Sequence, residues 1–82
     1  MKIYDYDGKK NICGERIKSV RKTKKLTQSD ICAQMQTRGI ILDQYSLSRI
    51  ENGTRFITDF ELMIFAEILD CSTKWLLTGS DH

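Results

Sequence analysis

The feature that most constrains this chain is the stretch Leu26–Gly53, LTQSDICAQMQTRGIILDQYSLSRIENG, where two helical signals face each other across a glycine break. Thr27 stands where a hydroxyl can accept from the free backbone N–H three residues on, and Asp30 can reach back to complete a capping box. Asn52-Gly53 is a pair that readily takes the left-handed conformation ending a helix. Between them, Ile31 and Met35 recur at helical spacing, as do Leu47 and Ile50, with Gly39 in the interval. The pattern predicts one helix from Gln28 to about Arg38 and another from the N-cap Asp43 to about Glu51. Ile40, Ile41 and Leu42, in the turn, cannot all enter a small core, so one is expected to meet a partner subunit or to pack under the longer helix.

The rest of the sequence is built to support these two helices. Its 82 residues make one domain with a small core, and the absence of proline favours an all-helical answer. Residues 1–11 read as a short strand or a tail, and Asn11 as the N-cap of a first helix, Ile12–Lys24, with Cys13, Ile17 and Val20 inward. Thr58 and Glu61 form a capping box before the stripe Leu62, Phe65, Ala66 and Leu69. Ser72 caps a last helix, Thr73–Leu77, ended near Gly79, with Trp75 and Leu76 closing the core. The domain is thus expected over 12–78, with tails at 1–11 and 79–82.

Composition narrows the function classes. No apolar run reaches the length of a signal peptide core or a membrane span, so a soluble, cytoplasmic protein is expected. Cys13, Cys32 and Cys71 are odd in number and irregularly spaced, which suits reduced core thiols better than a disulfide framework or a metal site completed by His82. Neither metal nor cofactor is expected. With its single histidine last in the chain and no phosphate-binding glycine loop, the sequence offers no catalytic constellation, so an enzyme is not expected. Charge is polarised: from Lys9 to Lys25 eight basic residues face one acid, whereas from Asp59 to His82 five acids face one lysine. Such a molecule approaches a polyanion in a preferred orientation.

In residue pattern the chain resembles the Cro/repressor (Xre-type) helix-turn-helix family. LTQSDICAQM is similar to that family's second helix and SLSRIENG to the end of its third, flanked by ERIKSVRKTKKLTQ and FELMIFAEILDCSTKWLL, so that the resemblance covers roughly residues 12–78. It implies a five-helix, lambda-repressor-like all-α domain that binds DNA as a transcriptional regulator, with repression expected. The departure lies in the turn, where Gln36–Asp43 is about five residues longer than the family's usual connection.

The residues themselves suggest how such a domain would work. The start of the second helix, at Thr27 and Gln28, offers unpaired N–H groups and the positive end of a dipole, which suits a phosphate. Lys24, Lys25 and Arg55 would add positive charge. On the third helix, Gln44, Ser48 and Arg49 share an outward stripe whose donors and acceptors match base edges in a major groove. The resemblance implies base contact by Gln44, Tyr45 and Arg49, with Ser48 nearby, and a backbone contact by Gln28 that also braces the third helix. It further implies a partly buried ion pair between Arg21 and Glu51. The expected partner is double-stranded DNA, as an inverted-repeat operator bound by a homodimer. The competing expectation is a protein-interaction module, such as an antitoxin or small regulatory partner. The exposed face of the third helix discriminates: polar favours DNA, apolar favours protein.

Overall fold

A computed structural model of the chain describes residues 5–80. Five helices follow one another: α1 (Gly14–Thr23), α2 (Gln28–Thr37), α3 (Gln44–Asn52), α4 (Asp59–Leu69) and α5 (Thr73–Thr78). Ile17, Ile31, Met35, Leu47, Ile50, Phe65, Leu69 and Leu76 are fully buried, so every helix contributes to one core. Trp75 is half-buried against it. All three cysteines line or border the core and none forms a disulfide, with Cys13 buried and the other two partly so. Burial pushes the Cys13 thiol above its ordinary pKa. Among the described residues no helix is long and apolar enough to cross a membrane, and no cluster of His, Cys, Asp or Glu suits a metal; His82 lies outside them.

The helix boundaries follow their caps. Thr27 and Asp30 exchange reciprocal bonds of 2.8 and 3.0 Å at the start of α2, and Thr58 and Glu61 exchange bonds of 2.9 and 3.3 Å at the start of α4. Asp43 accepts from Ser46 N–H at 2.7 Å and Ser72 from Trp75 N–H at 3.0 Å, opening α3 and α5. Helix α1 starts later than its expected Ile12. Asn11 Oδ1 accepts from the Gly14 N–H at 2.7 Å, three residues on as a capping side chain does, but Ile12 and Cys13 form a bend, so that the helix begins at Gly14 with Cys13 in the cap position. The delay lets Gly14 press on α3: a Cβ there would lie 2.0 Å from the Ile50 carbonyl oxygen. Asn11 Nδ2 bonds that same oxygen at 3.0 Å and the Arg55 carbonyl at 2.8 Å.

Residues 5–11 are fastened to the end of α3. Tyr6 and Lys9 pair through two backbone bonds around an Asp7-Gly8 turn, and Lys10 N–H donates to the Gly53 carbonyl at 2.7 Å. The lengthened turn is ordered by burial. Gly39 takes φ +87°, Leu42 is buried, Ile40 is half-buried, and Ile41 alone of the apolar triplet stands 84% exposed. Helix α2 ends at Thr37, one residue short of the expected Arg38, which becomes its cap.

Candidate nucleic-acid interface

Helix α3 presents its two faces to different surroundings. Leu47 and Ile50 are buried, while Gln44, Tyr45 and Arg49 are exposed and Ser48 is half-exposed, so the four sequence-expected reading residues share one outward surface. That surface is polar apart from the Tyr45 ring. Arg49 Cζ lies 5.8 Å from the ring centre, and Arg49 Nη2 donates to the Thr54 carbonyl at 3.1 Å. The guanidinium is therefore held between an aromatic face and a carbonyl instead of sweeping through solvent.

Gln44 is also held. Its Nε2 donates to Ser29 Oγ of α2 at 2.6 Å, and both residues line a cleft of about 450 Å³ between α2 and the lengthened turn. Asp43 borders the same cleft, and its carboxyl is kept below the ordinary carboxylate range chiefly by the Ser46 N–H it accepts.

The far end of α3 is tied more deeply. Arg21 Nε and Nη2 donate to the two Glu51 carboxylate oxygens at 2.7 and 3.1 Å, a two-pronged pair whose side chains are only 10% and 2% exposed. Gln28 Nε2 adds a third bond to Glu51 at 3.1 Å, and Arg21 Nη1 closes on the Leu26 carbonyl at 2.9 Å. One cluster therefore joins α1, the α1–α2 connection, α2 and α3.

The remaining cationic positions divide into two kinds. Lys24 and Lys25 are exposed at the junction of α1 and α2, beside Thr27. The capping box there uses the Thr27 and Asp30 N–H groups, and the first-turn N–H groups of Gln28 and Ser29 have no acceptor within their helix. Arg55 is different: it is half-buried, and its guanidinium meets both Glu61 oxygens at 3.3 Å and the Phe56 carbonyl at 3.0 Å. It serves α4 before it can serve any ligand. Burial pushes the Glu61 carboxyl up, but the Thr58 N–H and Arg55 outweigh it and hold the group below its ordinary value. Asn11, Gly14 and Ser29 all touch α3 or its neighbours and were not legible as site residues, because each acts on a partner 15 or more positions away in the sequence.

A family model described as a helix-turn-helix domain matches residues 14–82. The chain belongs to the helix-turn-helix family. Among solved structures, this helix-turn-helix protein is similar to the P22 c2 repressor protein, crystallised in complex with synthetic operator 9T in the presence of Tl+. The two are 27% identical, the match covers 85% of this chain and 98% of that one, and the TM-score is 0.66. No curated protein matches the chain. The protein is thus of the Cro/repressor helix-turn-helix type, and its family and fold are those of DNA-binding regulators.

Proposed function

We propose that this helix-turn-helix protein is a transcriptional regulator, acting as a repressor, that binds double-stranded DNA by laying α3 in the major groove. The observation that carries the reading is the outward surface of α3: Gln44, Ser48 and Arg49 are accessible on a helix whose opposite face and far end are fixed in the core. Similarity to a repressor crystallised with a synthetic operator supports it. Arg49 suits a guanine edge and Gln44 an adenine edge, because each can form two hydrogen bonds at once. Tyr45, whose ring faces Arg49, brings an apolar surface to the same groove.

Phosphate contacts come from the start of α2 at Thr27 and Gln28 and from Lys24 and Lys25. Arg55 adds less charge than the sequence suggested, since Glu61 already neutralises it. Each chain carries one reading helix and measures 33 Å along its longest axis. A module of this size makes few base contacts, so the reading takes a homodimer on an inverted repeat, with its two α3 helices about 34 Å apart, as the working form, in the cytoplasm. The polar face of α3 weighs against the protein-interaction alternative.

Titration of matched and mismatched duplexes tests the reading. Arg49→Ala is expected to cost about 1–3 kcal/mol on the preferred duplex and to relax preference at one base pair, whereas Lys25→Ala weakens all duplexes alike. An Arg49→Ala chain that kept the wild-type ratio of preferred to random duplex would remove Arg49 from the reading set.

A further inference from the structure

We propose that Ser29 is a positioning residue for base reading: its hydroxyl orients the Gln44 amide before DNA arrives. The proposal rests on the major-groove reading above and adds to it a residue outside the reading helix. Gln44 is the first residue of α3 and is exposed, so without a partner its long side chain would sample many rotamers and its amide could present either end to a base. The 2.6 Å bond from Nε2 to Ser29 Oγ removes that choice. One amide hydrogen is consumed by Ser29. The second amide hydrogen and the carbonyl oxygen remain, and they are the donor and acceptor that an adenine edge requires.

The placement of Ser29 explains why α2 can do this. Gln28 and Ser29 are neighbours in the first turn of α2, yet they hold opposite ends of α3: Gln28 bonds Glu51 near its last turn and Ser29 bonds Gln44 at its first. The turn Gln36–Asp43 separates the two helices widely in sequence, and the Ser29 bond links the first turn of α2 directly to the head of α3.

The test uses the full chain and four duplexes that differ only at the base pair where Gln44→Ala abolishes preference. Ser29→Ala is expected to lower discrimination at that pair about three- to tenfold, with binding to random duplex and the melting temperature unchanged. Ser29→Thr, which keeps the hydroxyl, retains the wild-type preference. In the free protein, Ser29→Ala also shifts the Gln44 side-chain amide resonances and makes its two hydrogens more alike in exchange. Undiminished discrimination in Ser29→Ala, or an equal loss on every duplex, overturns the assignment while leaving the major-groove reading intact. A wild-type chain with no preference among duplexes, or one whose preference Gln44→Ala leaves untouched, overturns the assignment together with the part of the reading it rests on.

Discussion

Glu51 illustrates how a charged residue on a surface helix becomes structural. Its carboxylate is almost wholly buried and receives three hydrogen bonds, two from Arg21 and one from Gln28. Taking both charges out of water is costly, and good two-pronged geometry offsets that cost only while both partners remain. Glu51→Ala should therefore lower stability by about 3–5 kcal/mol in denaturant unfolding. A paired Arg21→Met, Glu51→Leu variant should recover much of that loss, because no lone charge is left behind. Glu61 makes the pH-dependent counterpart. Its carboxyl lies below its ordinary value of 4.5 in the folded chain, so its contribution is present above that pH and is lost as pH falls through the lowered value. Glu61→Gln is expected to be less stable than the parent at pH 7 and to converge towards it as the pH falls below 4.5 and through the lowered value in urea titrations. Convergence at neutral pH would remove the Arg55 pair from the account.

At the scale of elements, the helices were legible wherever a local signal existed. Thr27 with Asp30, Thr58 with Glu61, and Asn52-Gly53 are short-range patterns whose partners lie within three residues, and each governs a boundary in the structure. The apolar pairs Ile31 with Met35 and Leu47 with Ile50 fixed which faces turn inward, and so which residues of α3 remain outside. What escaped the sequence depends on helices meeting. Nothing around Gly14 announces that its Cα will lie against the Ile50 carbonyl, and nothing around Ser29 announces Gln44. Arg55 looked like a free cation because its partner, Glu61, was already explained as half of a capping box. The close approach at Gly14 gives an element-scale prediction. Gly14→Ala should improve the helix propensity of α1 and still destabilise the protein, by about 1–3 kcal/mol in thermal unfolding, since the added methyl meets backbone that cannot step aside. A stabilised variant would contradict the α1–α3 contact.

Along the sequence, basic residues gather in α1 and in Lys24 and Lys25 just after it, whereas α4 carries Asp59, Glu61 and Glu67 and no basic residue. Lys24 and Lys25 lie beside the exposed head of α2, and α3 is anchored at both of its ends by that same helix. Binding through these lysines should depend steeply on salt, and Lys24→Ala and Lys25→Ala should each reduce the slope of log K against log salt by about 1. Unchanged slopes would place the phosphate contacts elsewhere. The central claim, that the exposed surface of α3 reads base pairs in a symmetric pair of chains, is tested most directly by selecting bound duplexes from a random pool. The account predicts enrichment of an inverted repeat with half-sites about one helical turn apart, lost when Gln44 and Arg49 are both replaced by alanine. A pool that stays random, or an enriched sequence that the double variant binds equally well, would contradict it.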